Sequence, residues 1–285
     1  MLAENIKKIY LGASPVQKMY LGESLIYQKD PADEYLMLGT TTGKSDFMIG
    51  SSTSITGSPD CIKVHVVQKP GGINTMYVKQ EDVLKTPVCF LGSYNGFSTD
   101  EGKKILSIDK WNIDTSNVTR IDFMFADCKA LKTMNLKNFN ASSVTIIDYM
   151  FDGCYSLASL DVSNFNTINV TSMRKTFRNC NKLTELDLRA FDTTNCSDLF
   201  MLEGSYKINK LYLSSNFFNS KTETSYSFPY LHYWTDQESL AMFVEAITAN
   251  DGRGRKVYFV EETYNALTRT QKNAIKAKGW ILDTT

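Results

Sequence analysis

The chain has 285 residues, 42% of them hydrophobic, and its 31 basic and 31 acidic side chains cancel to a formal net charge of zero. This length allows one large domain or two to three small ones, and the hydrophobic fraction is enough for a packed core. The charge balance gives no reason to expect nucleic acid or an anionic membrane as a partner.

The first eight residues lack an apolar h-region, and no apolar run is long enough to span a bilayer. We therefore expect neither a signal peptide nor membrane insertion. Synthesis in a cytoplasm would keep the six cysteines reduced. These cysteines form no Cys-x-x-Cys motif and no set with paired histidines, so we expect no zinc and no other cofactor.

A duplicated motif opens the chain, with Lys-Ile-Tyr-Leu-Gly at 8–12 and Lys-Met-Tyr-Leu-Gly at 18–22. Alternating runs that end in glycine turns predict small hairpins or a three-stranded meander, within a module of residues 1–30. So small a unit must dock on the rest of the chain, on copies of itself or on another protein. The predicted docking residues are Ile9, Tyr10, Leu11, Met19, Tyr20 and Leu21.

Residues 31–104 are rich in Gly, Ser and Thr with short β-type runs, which predicts a β-rich module. It is either an N-terminal cap for the following repeats or a small domain of its own. Residues 39–45 nearly spell a phosphate-binding P-loop, but three residues separate the glycines where the motif needs four. A strand and a turn, and no helix, are predicted to follow, so we interpret this segment as a polar hairpin loop.

An internal repeat dominates residues 105–234: Cys128, Cys154 and Cys180 are each 26 residues apart. The same step relates three other sets, namely Val118, Val144, Val170 and Cys196; Phe125, Phe151 and Phe177; and Leu131, Leu157 and Leu183. A fixed period of this length predicts stacked units that share one core, with the cysteines as small buried hydrophobes. Disulfides between neighbouring units remain the alternative.

Within one unit, Leu160 and Val162 alternate as a short strand, and residues 166–169 form a polar turn. Val170, Met173 and Phe177 follow at three- and four-residue steps, which predicts a short helix. Each unit is therefore expected to run strand, turn, helix and return.

The string at 160–173, followed by Phe177-x-x-Cys180-x-x-Leu183, resembles the BspA-like leucine-rich repeats of bacterial surface proteins. The resemblance implies an α/β repeat fold, a right-handed leucine-rich-repeat solenoid of about four to five 26-residue coils. It also implies adhesion or protein binding without catalytic residues. The Tyr-Leu-Gly duplication resembles modules of phage tail and virion proteins, and residues 271–280 resemble the ends of such repeats in gut-bacterial and phage proteins.

Residues 235–285 are predicted to form an α/β C-terminal cap. Asp236 can cap a helix whose apolar face includes Leu240 and Phe243. A strand at 256–260, a helix at 270–278 stopped by Gly279, and a strand at 280–282 are expected to follow.

Exposed positions of the predicted strands form columns, which we call the strand face. Its candidate binding residues are Asn135, Lys137, Asp161, Ser163, Glu185, Asp187, Arg189 and Tyr212. The alternative is an ordinary solvated surface. Asp161 beside Asp187 is a like-charge pair that should have a cation nearby. The aromatic stretch 226–234 either binds a ligand or packs between repeats and cap.

Other candidate chemistry is sparse. His65 and His232 lack local partners for a triad or a metal site, and we predict no metal ligands and no catalytic residues. Asn-x-Ser/Thr strings at Asn117, Asn140, Asn169 and Asn195 fall in predicted turns, where asparagine bonds its own backbone. An enzyme such as a glycan hydrolase would need a pair of carboxylates on facing strands in residues 34–104, and we identify no such pair in the sequence.

The leading hypothesis is therefore a non-enzymatic structural or adhesion protein of a phage particle, such as a head fibre, decoration or tail-tip protein. It would be made in the host cytoplasm and reside in the virion. The N-terminal hairpins would bind virion proteins or copies of the chain, and the repeats would bind a bacterial surface protein or glycan. The alternative is a bacterial surface or secreted BspA-like adhesin.

Overall fold

A computed structural model gives the fold of the chain. The structure describes residues 10–11, 14–15, 18–21, 24–28, 35–50, 61–79, 100, 102–111, 115–215, 217–218, 225–228, 236–248 and 255–284. None of the helices in these ranges combines the length and the apolar character that crossing a bilayer requires.

Short strands make up most of the regular structure. The strands are β1 (Tyr10–Leu11), β2 (Ser14–Pro15), β3 (Lys18–Leu21), β4 (Ser24–Gln28), β5 (Tyr35–Thr41), β6 (Phe47–Gly50), β7 (Cys61–Val67), β8 (Asn74–Lys79), β9 (Ile105–Ile108), β10 (Thr133–Met134), β11 (Glu185–Leu188), β12 (Lys210–Leu213), β13 (Ser225–Phe228), β14 (Lys256–Phe259) and β15 (Ile281–Thr284). The helices are α1 (Gln237–Thr248), α2 (Glu261–Ala266) and α3 (Arg269–Ala277), with a 3-10 turn at Gly102–Lys104.

The duplicated N-terminal motif forms two antiparallel pairs, β1 with β2 and β3 with β4, which confirms the predicted hairpins. Tyr10 and Leu11 lie on β1, and Met19, Tyr20 and Leu21 lie on β3. Ile9 lies outside the described residues. Each pair has only two strands, so neither contains a core of its own.

A six-stranded mixed sheet follows, in the order β10-β9-β5-β8-β7-β6. Only the β9–β10 pair is parallel, and the other neighbours are antiparallel. Leu38, Val64 and Met76 are fully buried on it. The backbones of β5 and β9 approach closely at Gly39, where an added Cβ would lie 2.0 Å from the carbonyl oxygen of Ser107. Glycine at this position therefore lets the sheet continue from residues 35–79 into the repeats.

Successive repeat units are joined by a ladder of backbone hydrogen bonds. Every second N–H donates to a carbonyl about one unit further along the chain, as Ile121 does to Ile146 (3.1 Å) and Phe125 does to Met150 (2.8 Å). The intervening N–H groups donate three residues back, as from Met124 to Ile121 (3.2 Å). Backbone donors of the tight turns are thus satisfied without an α-helix.

The predicted α/β leucine-rich-repeat solenoid is wrong as a fold class. Residues 115–215, which the structure describes without a gap, contain no α-helix. Their strands are two to four residues long and fall in separate sheets, β10 in the six-stranded sheet and β11 with β12 in a two-stranded one. The strands do not join into one continuous sheet. The described residues instead form a β-rich chain of small mixed sheets with few helices.

The helix predicted from Val170, Met173 and Phe177 fails for a backbone reason. Lys175 and Asn179 in this segment have φ angles of 54° and 59°. Left-handed residues cannot continue a right-handed helix and cost roughly 1–2 kcal/mol each. The corresponding positions of other units are left-handed too, namely Phe123, Asp127, Tyr149, Gly153 and Gly204. The three- and four-residue spacing of the apolar residues therefore reflects tight turns.

Columns of identical side chains fill the core between units. Phe151 stacks on Phe125 and on Phe177 with ring centroids 5.6 Å and 5.7 Å apart. The cysteines of the described units are buried and free, as predicted for small hydrophobes; they are Cys128, Cys154, Cys180 and Cys196. Burial raises the pKa of the Cys196 thiol to about 12 and that of Cys154 further above its ordinary value. These thiols are therefore protonated and poorly reactive in the folded protein.

The C-terminal elements agree with their predictions. Asp236 caps α1, since its Oδ2 accepts from both the N–H and the hydroxyl of Ser239, each at 2.9 Å. Gly279, with φ of 82°, follows α3, and β13, β14 and β15 form a parallel sheet. The Oγ of Ser239 also accepts the N–H of Leu211 on β12 at 3.0 Å. A side chain of the cap thus satisfies a donor of the last repeat strand.

We expect Phe151→Ala to lower the free energy of unfolding by ~3–5 kcal/mol, because it removes the middle ring of a buried stack. Urea denaturation followed by circular dichroism would measure the loss. Ile168→Ala is the control, since Ile168 is 41% exposed and its truncation should change stability by no more than ~0.5 kcal/mol. Equal effects of the two substitutions would contradict a core role for the stack.

We expect Gly39→Ala to destabilise the protein by roughly 1–3 kcal/mol or more, because its methyl group would overlap the Ser107 carbonyl of β9. Gly72→Ala is the matched control: Gly72 has φ of 79° but no atom within 4 Å of an added Cβ. The control should show only backbone strain, about 1 kcal/mol. The close approach of β5 and β9 would be unimportant if Gly39→Ala proved the milder change in urea denaturation.

Candidate functional site

The strand face is held together at its C-terminal end by the parallel pairing of β11 and β12. Glu185 pairs with Lys210, and Asp187 pairs with Tyr212. The alternating leucines of both strands are buried, so these polar partners point to the other side. Three of the predicted residues from one unit, Glu185, Asp187 and Arg189, therefore form one patch with Tyr212 of the next unit.

Arg189 contacts both Asp187 and Tyr212 and so links the two strands within this patch. Its Nε donates to Oδ1 and Oδ2 of Asp187 at 2.9 Å and 3.0 Å, and its guanidinium carbon lies 5.5 Å from the centroid of the Tyr212 ring. The hydrogen bonds from Arg189 lower the pKa of Asp187 below its ordinary value. An arginine fixed over a tyrosine ring gives a charged, aromatic contact point on an exposed surface.

The middle column of the strand face has a structural role as well. Asn135, Asp161 and Asp187 each accept the backbone N–H two residues further on, at 3.1, 2.9 and 3.0 Å. This Asx turn explains why the column contains only Asn and Asp. The predicted residues Lys137, Ser163 and Arg189 supply the donors, so side chains along the face are fixed by the same local bond.

The like-charge pair predicted at Asp161 and Asp187 does form. Hydrogen bonds from Ser163 lower the pKa of Asp161, and the negative charge of Asp187 partly opposes that shift. The cation that this pair requires is the protein's own Arg189. The pair therefore gives no independent evidence of a bound ligand.

Helix α1 brings further charge to the same end of the strand face. Partial desolvation, with the negative charges of Glu185 and Glu238, raises the pKa of the Tyr212 phenol. Glu238 also acts electrostatically on Arg189. The patch around Tyr212 is thus a mixed-charge surface at the junction of the repeats and the cap.

A second exposed surface, the tyrosine row, consists of Lys129, Tyr155, Asn181 and Tyr206. Lys129 Nζ lies 5.7 Å from the Tyr155 ring centroid. The units that carry Tyr155 and Asn181 are joined by a hydrogen bond from the Gly153 N–H to Arg178 O, at 2.9 Å. The N–H of Cys180 donates to Ser205 Oγ at 2.9 Å, which brings Asn181 beside Tyr206.

We did not predict the tyrosine row from the sequence. Steps of 26, 26 and 25 residues relate its members, so the repeat period contained the signal. The four positions carry Lys, Tyr, Asn and Tyr. The apolar columns were recognised because the same residue type recurs in every unit, and this column has no such recurrence.

A third column of side chains connects neighbouring repeat units to one another. Phe123 and Tyr149 stack with centroids 4.6 Å apart, and Lys175 bonds Glu203 at 2.9 Å. Arg178 Nε donates to Asp152 Oδ1 at 2.8 Å. These charges neutralise one another between neighbouring units, so we assign this column to stability.

The remaining predicted features have structural roles. Residues 39–41 end strand β5, and residues 42–46 form a polar loop before β6 in which Asn74 Nδ2 donates to Gly43 O at 2.6 Å. The predicted hairpin is wrong, because β5 and β6 are not neighbours in the sheet. His65 Nδ1 lies 3.2 Å from Asp46 Oδ2, and His232 lies outside the described residues. In the part of the chain that the structure describes, no three His, Cys, Asp or Glu side chains are arranged to hold a metal ion.

Turn asparagines are also structural: Asn140 bonds its own backbone as predicted, whereas Asn169 and Asn195 bond the preceding unit. Asn169 Nδ2 donates to Ser142 O and Asn195 Nδ2 donates to Ile168 O, both at 2.8 Å. Asn140 accepts the Ser142 N–H at 2.9 Å. Of the aromatic stretch, Tyr226 and Phe228 lie on β13, and residues 229–234 lie outside the described residues.

Residues 94–216 match the family described as "Mycoplasma protein of unknown function, DUF285", which is related to the BspA-like repeat proteins. The family description names neither phage proteins nor leucine-rich repeats. No curated protein and no solved structure matches the chain.

Proposed function

We propose that this protein is a non-enzymatic structural or adhesion protein of a phage particle, which presents the strand face to a protein or glycan on a bacterial surface. The observation that carries the proposal is the patch around Arg189 and Tyr212. There Arg189 of one unit lies over Tyr212 of the next, in an arrangement fixed by the strand pairing and by the hydrogen bonds from Arg189 to Asp187.

Preorganisation of the strand face supports a binding role. The Asx turns at Asn135, Asp161 and Asp187 fix each side chain before any ligand arrives. Side chains that are already ordered lose less entropy on binding, so more of the contact energy is retained as affinity.

The composition of the patch supports it as well. Arginine and tyrosine are the residues most enriched among those that dominate binding energy at interfaces. Charged neighbours such as Glu185 and Lys210 would add specificity and faster association more than affinity.

The N-terminal hairpins support attachment to a particle. Two-stranded hairpins are marginally stable alone, so β1–β2 and β3–β4 need another surface on which to pack. We assign that surface to virion proteins or to copies of the chain, bound through the apolar and tyrosine residues of the duplicated motif.

A bacterial surface or secreted adhesin is the second candidate. It is favoured by the match of residues 94–216 to a family described from Mycoplasma, a cellular organism. The strand face would bind in the same way, and the hairpins would attach the protein to a cell.

We expect the double substitution Arg189→Ala/Tyr212→Ala to weaken binding of the full-length protein to target bacterial cells by about tenfold or more. Flow cytometry with fluorescently labelled protein would measure the binding. The control Arg174→Ala/Ile168→Ala also removes an exposed arginine and an exposed apolar residue, but away from the strand face. Binding that survives the first variant unchanged would refute the role of the strand face.

We expect removal of residues 1–28 to abolish incorporation into particles, because it removes both hairpins. Mass spectrometry of purified particles from cells producing either version would measure incorporation, and cooperative urea unfolding would verify that the shortened chain folds. Full incorporation of the shortened chain would refute docking through the hairpins. Absence of the intact protein from particles, with recovery at the cell surface, would favour the adhesin.

A further inference from the structure

The tyrosine row exposes two aromatic side chains at equivalent positions of the repeat. Tyr155 is 38% exposed and Tyr206 is 45% exposed, although most phenylalanines of the repeats are buried. They lie two units apart, which corresponds to about 10 Å if neighbouring units keep the usual spacing of hydrogen-bonded strands. That separation is close to the length of two sugar rings in an extended chain.

Positive charge surrounds the row. Lys182 and Lys207, which follow Asn181 and Tyr206 in the chain, are exposed and form no ion pair among the described residues. Lys129 lies 3.7 Å from Asp127, a weak and exposed pairing. Cations such as Lys175 and Arg178 are instead neutralised by carboxylates of adjacent units. An excess of positive charge therefore collects at the tyrosine row of a chain that is neutral overall.

Asn181, between the two tyrosines, is incompletely satisfied. Its Oδ1 is buried and has no hydrogen-bond partner among the residues that the structure describes. A buried acceptor without a donor destabilises the folded protein.

We propose that the tyrosine row, with Lys182 and Lys207, binds an anionic polysaccharide that runs along the direction in which the units stack. The tyrosine rings would pack against the apolar faces of sugar rings, and the Asn181 amide would bond hydroxyl groups. The lysines would neutralise carboxylate or phosphate groups of the polymer. This inference rests on the proposed adhesion function, for which it names a ligand class and a second surface.

A nucleic acid would also carry negative charge and stack on tyrosine. The observations favour a polysaccharide because the chain has no net positive charge, whereas nucleic-acid-binding domains are usually strongly basic. Single-stranded DNA is therefore one arm of the test.

The experiment measures binding of the full-length protein by biolayer interferometry to polygalacturonate, phosphomannan, dextran and single-stranded DNA. Polygalacturonate presents carboxylates, phosphomannan presents phosphates, and dextran is neutral. We expect binding to at least one of the two anionic polysaccharides, weakened by added salt, and weaker binding to dextran and DNA. The stronger of the two anionic arms identifies the acidic group.

Three variants test the residues. Tyr155→Ala/Tyr206→Ala should weaken binding by about tenfold or more, and Tyr155→Phe/Tyr206→Phe should retain most of it because the rings remain. Lys182→Gln/Lys207→Gln should reduce both the affinity and its dependence on salt. All of these side chains are exposed, so thermal unfolding should change little.

Several outcomes would overturn the inference: no binding to either anionic polysaccharide, equal or tighter binding to DNA or dextran, or affinity unchanged in the alanine variant. The strand-face variant Arg189→Ala/Tyr212→Ala separates this inference from the proposed function. If it loses cell adhesion while no polysaccharide binds, this inference fails and the proposed function stands. If polysaccharide binds but the intact protein adheres to no cells, the proposed function fails and the inference stands.

Discussion

The ladder of hydrogen bonds between successive units is the constraint on which the rest of the structure depends. Every second N–H between residues 121 and 127 is committed to the next unit, so its partner must lie 25 residues further on. Side chains at equivalent positions are then forced into columns. The buried phenylalanines, the free thiols, the strand face and the tyrosine row all follow from this one repeated bonding pattern.

Charge on the surface of the stack has two different uses. Where acids and bases face one another across neighbouring units, as Arg178 and Asp152 do, the ion pair fixes the relative position of the units. Such partly buried pairs favour one arrangement of the units, because a shifted arrangement would bring like charges together. At the two candidate surfaces the charged side chains are arranged differently. Arg189 lies over the ring of Tyr212, and Lys182 and Lys207 have no acid opposite them among the described residues.

Sequence patterns predicted those elements whose ends are marked by an individual residue. Glycine turns marked the hairpins, Asp236 marked the start of α1, and Gly279 marked the end of α3. The same patterns failed at residues 170–180. Nothing in the sequence indicates that a lysine such as Lys175 has a left-handed backbone, and the apolar residues around it have the three- and four-residue spacing of a helix. The exposure of the strand-face positions was predicted because alternation identifies exposed positions, and their binding role stays a prediction. The tyrosine row was missed because its members share a position but not a residue type.

Ser239 gives the arrangement an evolutionary consequence. One contact between the cap and the last strand does not depend on the strand's side chains, because the Ser239 hydroxyl accepts a backbone N–H. A duplicated or deleted block of whole units in the gene would leave the same donor facing the same serine. A change in the number of units by recombination would therefore keep this contact, which lets the reach of the binding surfaces evolve separately from their chemistry.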